Sequence, residues 1–137
     1  MLTTDKLTYW YTSKDQALFA DVDLQFEAGH SYAIVGQSGS GKTTMVSLLA
    51  GLDKPRAGRI LLDDEDIASI GLSNYRRRKV AIVFQAYNLF TYMSALENLM
   101  SAMAITGSTH KGDKDYAREM LRKLGLSDVQ MTKNVQK

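Results

Sequence analysis

The chain has 137 residues, with 17 Lys and Arg against 15 Asp and Glu, a formal charge of +2 and no cysteine, which fits one domain with a modest core. So small and evenly mixed a charge gives no reason to expect nucleic-acid binding, and the lack of cysteine excludes disulfides and thiolate metal sites. Residues 1–6 lack the apolar region of a signal peptide and no apolar run is long enough to cross a bilayer, so a soluble or peripheral chain is expected.

Leu7, Tyr9 and Tyr11 alternate with Thr8 and Trp10, and residues 22–27 alternate apolar with polar. That period of two predicts half-buried strands in an antiparallel layer. Tyr32, Ala33, Ile34 and Val35 then form a short apolar run suited to a buried parallel strand. Gly36, Gln37, Ser38, Gly39, Ser40, Gly41, Lys42 and Thr43 follow directly and fit the phosphate-loop pattern G-x-x-x-x-G-K-[ST]. A loop that wraps a polyphosphate needs positive φ and no Cβ between its N–H groups and the oxygens, which Gly36, Gly39 and Gly41 are expected to provide.

Met45, Leu48, Leu49 and Leu52 recur at helical spacing, so a helix opens near Lys42 and adds the positive end of its dipole; Gly51 and Pro55 mark its end. In this arrangement Lys42 reaches the β- and γ-phosphates, Thr43 offers its hydroxyl to Mg2+, and Thr44 bonds an α-phosphate oxygen. A plain Gly/Ser linker is the alternative, and the order strand, loop, helix argues against it.

Residues 58–62 read as a further strand of the antiparallel layer, turning at Asp63 and Asp64. The run from Ile60 to Glu65 also mimics an apolar strand ending in two acids, which would make a small nucleotide kinase-like enzyme with Asp63 on Mg2+. Pro55 and Gly58 leave too little chain for the crossover that reading needs, and Arg59 interrupts the apolar run. Arg76, Arg77, Arg78 and Lys79 read as a solvated helix end. Residues 80–84 are apolar without alternation and predict a second buried strand, with Gln85 at its carboxyl end, where ligands collect in open parallel sheets. Ser94 and Glu97 form a capping box for a helix whose apolar face is Leu96, Leu99, Met100 and Met103. A second helix opens at Asp113 and is expected to bury Ala117, Met120, Leu121 and Leu124, with Gly125 at its end.

Taken together, Tyr11, the phosphate loop, residues 50–55 with Gly58, the run Val83, Phe84, Gln85, and the run from Ser94 to Asn98 resemble the ATP-binding domain of ABC transporters over essentially the whole chain. Residues 83–89 with 96–98 are most similar to the branch of lipoprotein-release and macrolide or antimicrobial-peptide exporters. The resemblance implies an α/β phosphate-loop NTPase fold of ABC ATPase type, incomplete: an antiparallel β layer, a partial parallel core sheet and part of the helical subdomain. Residues 1–85 would belong to the nucleotide-binding core and 86–137 to the helical subdomain.

By position, Tyr11 matches the aromatic residue that stacks on adenine, with Tyr9 and Trp10 as competitors. Lys42 and Gln85 take the catalytic positions, Thr43 and Gln85 the metal positions, and Gly36, Ser38, Gly39, Ser40, Gly41, Lys42, Thr43 and Thr44 hold ATP with Mg2+. Asn88, Leu89, Phe90, Tyr92 and Met93 match the segment that receives the transmembrane permease, and the same apolar cluster suits plain helix packing equally. A second ATP-binding protomer, a place on the inner face of the cell membrane, and no nucleic acid are the other implied partners and surroundings. Asp64 stands where the family commonly has glycine. The family's signature motif, acidic strand and switch histidine do not occur by Lys137, so the resemblance implies ATP binding without turnover, or a non-catalytic remnant.

Overall fold

The computed structural model describes residues 1–135. Strand β1 (Leu2–Tyr9) is the spine of the first unit: β2 (Phe19–Val22), β3 (Gln25–Phe26) and β4 (Ala57–Leu62) all pair with it antiparallel, and β5 (Glu65–Asp66) pairs with β4. Two buried threonines lock the β1 edge. Thr4 Oγ1 donates to the Val22 carbonyl and accepts from Leu24 N, while Thr8 Oγ1 accepts from Asp21 N. The β1–β4 register runs from Leu2 opposite Leu62 to Asp5 opposite Arg59, then shifts before Thr8 meets Ala57. At that bulge Lys6 adopts φ 48° and Gly58 φ 75°.

Asp63 and Asp64 form the β4–β5 turn, both left-handed at φ 49° and 67°. Aspartate in place of glycine at position 64 therefore serves the turn, because its short polar side chain tolerates this region. Asp63 is an exposed turn residue that follows an antiparallel strand and pairs with the Met1 amine. The kinase-like alternative, which needed Asp63 at the end of a parallel strand, is not favoured.

Helix α1 (Lys42–Leu49), the short α2 (Ile67–Ile70) and α3 (Leu72–Arg78) cover the sheet. Leu7, Tyr9, Met45, Leu48, Ile60, Ile67 and Tyr75 form the buried cluster between them. Full burial of Leu7 and Leu48 contributes about 1.5–3 kcal/mol each. Leu52, expected on the α1 stripe, lies beyond the helix and is exposed. Tyr75 donates its hydroxyl to the Leu49 carbonyl at 2.8 Å, and Arg76 donates to the Gly51 carbonyl, so two α3 side chains satisfy the C-terminal end of α1. The basic run is thus more than a solvated helix end.

The two segments expected as parallel core strands, 32–35 and 80–84, are not strands. Val35 and Val83 are more than four-fifths exposed, and Tyr32, Ile34 and Phe84 are partly so. A buried strand exists only when neighbours accept its backbone hydrogen bonds on either side. Among the described residues every ladder is antiparallel and centred on β1 and β4, so neither apolar run has such a neighbour. The antiparallel layer and the helical part stand as expected; the parallel part of the sheet does not form.

The chain divides into two compact units, Met1–Ile82 and Val83–Lys137. In the second, α4 (Ala95–Thr106), α5 (Lys114–Lys123) and α6 (Asp128–Thr132) bury Leu96, Met103, Ala117, Leu121 and Met131 against each other. The Ser94 and Glu97 capping box is formed, and Asp113 caps α5 through Tyr116 N. Met120 and Leu124, expected in the core, are exposed; Leu124 is the C-cap residue, where the helical stripe has already ended. Ser127 and Gln130 make a second capping box that opens α6.

Candidate functional site

The phosphate-loop sequence occupies the turn that leads into α1. Gly36 (φ 159°), Gly39 (φ 79°) and Gly41 (φ 89°) all have the positive φ expected of them, Gly39 and Gly41 in the left-handed region. At Gly36 the demand for room is slight, since an added Cβ would lie 2.8 Å from Ser40 Oγ, the tip of a side chain that can rotate away. Gly41 combines both demands. A Cβ there would sit 2.8 Å from Leu18 Cδ2, and Gly41 occupies the N-cap of α1 with no side chain to close it.

Lys42 folds back over this turn and donates its ammonium to the Gly36 carbonyl at 2.9 Å and the Gln37 carbonyl at 2.6 Å. A positive charge is thereby held beside the N-terminus of α1, whose first-turn N–H groups have no carbonyl four residues back to bond. Cation and dipole act together to favour an anion at this point.

A cleft of ≈ 450 Å³ opens here, lined by Tyr11, Leu18, Ser38, Gly39, Gly41, Lys42, Thr43 and Thr44. Tyr11 comes from the chain just after β1, is 65% exposed, and shares a hydrogen bond with the Thr44 hydroxyl. Its ring makes an edge-to-face contact with Tyr9, with centroids 5.2 Å apart at 84°. Of the competing aromatics, Tyr9 is buried and Trp10 does not line the cleft, which leaves Tyr11 as the ring that faces it. Ser40 borders a neighbouring apolar hollow of ≈ 510 Å³ with Phe19, Val22, Phe26, Ile34 and Met45.

Sequence reasoning missed Leu18 and Asp53. Leu18 forms a wall of the cleft against Gly41, a contact set by the return of β2 toward α1. Asp53 accepts the Tyr9 hydroxyl at 2.6 Å and Lys54 N at 2.7 Å. The Tyr9 hydrogen bond, joined by that from the Lys54 amide, holds the Asp53 carboxyl below the usual carboxylate range, and the same bond raises the Tyr9 phenol.

Gln85 belongs to the second unit and lies exposed in a turn, because the strand expected to present it is not formed. In the same unit, Asn98 fastens the segment 88–93 to α4. Its side chain accepts from Phe90 N at 2.8 Å and donates to the Phe90 carbonyl at 3.1 Å and the Ser94 carbonyl at 3.0 Å. Leu89, Phe90 and Tyr92 are left exposed, and Asn88, Leu89 and Phe90 border a hollow of ≈ 430 Å³ with Leu99, Ile105 and Leu121.

A protein-family model described as ABC transporter matches residues 19–137. The chain belongs to the ABC transporter family. It is 48% identical to the ABC transporter ATP-binding protein YclH of Bacillus subtilis (strain 168), over 98% of this chain and 60% of that protein. A lipoprotein-releasing system ATP-binding protein, LolD of Chromohalobacter salexigens, is 37% identical over 92% of this chain and 55% of its own length. The methionine import ATP-binding protein MetN of Caulobacter vibrioides is 30% identical over 93% and 39%. Among solved structures, the dimeric ATP-binding cassette MJ0796 in a post-hydrolysis state with ADP and Pi matches at TM-score 0.81 and 27% identity, over 98% of this chain and 61% of that one. This ABC transporter chain therefore spans about three-fifths of the length of YclH and the MJ0796 cassette. Because relatives named for lipoprotein release and for methionine import both match, the exporter-like branch is not singled out. No helix among the described residues is long and apolar enough to cross a membrane.

Proposed function

We propose that this chain is the nucleotide-binding portion of an ABC transporter ATP-binding subunit. It grips the triphosphate of ATP between the loop backbone, Lys42 and the head of α1, with the Tyr11 ring against the base. The observation that carries this reading is the convergence of Tyr11 and the phosphate loop on one cleft, although 25 or more residues separate them in the chain. An anion entering the turn competes with the Gly36 and Gln37 carbonyls for the Lys42 ammonium, exchanging two neutral acceptors for a charged one. Thr44 and the first-turn amides complete the cradle, which Ser38, Gly39 and Gly41 line and Ser40 borders from the neighbouring hollow.

The donor chemistry fits Mg2+. Thr43 offers a hard hydroxyl oxygen, and among the described residues no group of three or more His, Cys, Asp or Glu forms a competing metal cage. The phosphates would supply further oxygens, and the ion, when bound, offsets their charge. Among the described residues the cleft is lined by hydroxyls, glycines, Lys42, Leu18 and Tyr11, the groups that bind a nucleotide, and binding is the step proposed for them. The roles of Gln85 toward the metal and the attacking water, of the 88–93 segment toward a transmembrane permease, and of a second protomer rest on the family match. Exposed Leu89, Phe90 and Tyr92 are chemically suited to the permease contact. A place on the inner face of the membrane follows from that partner. Import against export is left to the permease.

Fluorescent-ATP titration with Mg2+ tests the reading. Lys42→Ala should weaken binding roughly 10- to 100-fold, the loss of one charge-assisted contact. Equal binding by wild type and Lys42→Ala would refute it.

A further inference from the structure

Tyr11 leaves the end of β1 on a stretch of chain with no ladder partner, yet its ring is held in one place by three contacts. Its hydroxyl meets Thr44, its ring meets the edge or face of Tyr9, and the peptide before it is fixed by Arg56, whose Nε donates to the Trp10 carbonyl at 3.2 Å. Two of these three contacts lead back to the loop that follows α1. Asp53 accepts the Tyr9 hydroxyl, and the Arg56 guanidinium lies 5.5 Å from the centre of the Tyr9 ring. Arg56 N also donates to the Thr8 carbonyl at 3.0 Å. Tyr9 itself is buried, with Phe19 on another side at 6.2 Å, so its ring has little freedom once the hydroxyl is fixed.

We infer that Asp53, acting through Tyr9, is a positioning residue that sets the Tyr11 ring for a nucleobase and thereby makes the cleft discriminate a nucleotide from a bare polyphosphate. The inference rests on the nucleotide reading above. The division of labour is physical: the loop and Lys42 contact only phosphate, while an aromatic face gains stacking energy from a planar base only when it is presented at a fixed angle. An untethered Tyr11 would have to be ordered on binding, and that entropy would be subtracted from the stacking gain. Asp53 does not line the cleft, so its removal reaches the ligand through its neighbours, Tyr9 first and the loop that carries Arg56 second.

The test compares Mg·ATP with inorganic tripolyphosphate, both by calorimetric titration of the full chain. Tyr11→Ala should weaken ATP roughly tenfold, the loss of one stacked base, while changing tripolyphosphate no more than Tyr11→Phe, which frees the Thr44 hydroxyl and keeps the ring. Asp53→Ala should weaken ATP roughly fivefold, about one hydrogen bond's worth, with tripolyphosphate unchanged. Asp53→Asn should restore most of the loss, because its amide oxygen still accepts the Tyr9 hydroxyl. Should Asp53→Ala fail to fold, Tyr9→Phe removes the same hydrogen bond and keeps the buried ring. Parallel loss of both ligands in Asp53→Ala and Tyr9→Phe, or no loss of either, overturns the inference and leaves the nucleotide reading intact. A wild-type chain that binds neither ligand overturns the nucleotide reading and the inference with it.

Discussion

Replacing Gly58 by alanine puts a methyl group where β1 and β4 approach most closely. Gly58 sits at φ 75°, which costs an L-residue about 1–2 kcal/mol. The added Cβ would lie 2.5 Å from the Asp5 carbonyl oxygen, with the Lys6 carbonyl closer still. These are backbone atoms in a paired strand, so relief requires moving the ladder rather than rotating a side chain, a further ~1–3 kcal/mol by analogy with overpacked cores. The sum is about 3 kcal/mol. Gly29→Ala is the control, because Gly29 has nearly the same φ of 79° with nothing within 4 Å of its added Cβ, and should cost only the conformational part. Thermal unfolding followed by circular dichroism should place Gly58→Ala roughly 10 °C below Gly29→Ala, taking ~4–8 °C per kcal/mol for a unit the size of Met1–Ile82, which holds both positions. Equal melting temperatures would refute the close strand approach at the bulge.

Tyr75→Phe removes the hydroxyl that donates to the Leu49 carbonyl and should cost about 1 kcal/mol in urea unfolding without changing the slope. Ser94→Ala removes the α4 cap and should cost about 1 kcal/mol while raising amide exchange in the first turn of α4. Glu97 accepts from Ser94 N and Ser94 Oγ, which lowers its carboxyl below the ordinary glutamate value, so its share of the cap is present above that value and is lost as pH falls through the folded one. First-turn exchange in α4 should therefore rise in acid, and Glu97→Gln should abolish that pH dependence. Gly41→Ala meets both a left-handed φ and Leu18, and should lose binding of a fluorescent ATP analogue as well as stability; unchanged binding would show that the turn adapts.

What the sequence made legible was local chemistry. The capping box of Ser94 and Glu97, the Asp113 cap, the Asp63–Asp64 turn and the loop before α1 each depend on residues a few positions apart, and each formed. The apolar runs 32–35 and 80–84 carry the composition of buried strands, but a strand is a property of its neighbours, and none stands beside them. Gln85 lost its expected strand end for the same reason. Leu18 and Asp53 were illegible because their importance comes from contacts made across the fold, with Gly41 and with Tyr9. Alternation alone does not say which ring faces the cleft: Tyr9 is buried, Trp10 does not line it, and Tyr11 does.

Backbone amide mapping shows whether the loop before α1 holds the triphosphate. With Mg·ATP titrated into isotopically labelled chain, the largest NMR shifts should fall on Gly39, Gly41, Lys42, Thr43 and Thr44, with smaller ones at Tyr11, and Lys42→Ala should suppress them. No shifts in the loop at saturating ATP, or the largest shifts on the β4–β5 hairpin around Asp63, would contradict the nucleotide reading.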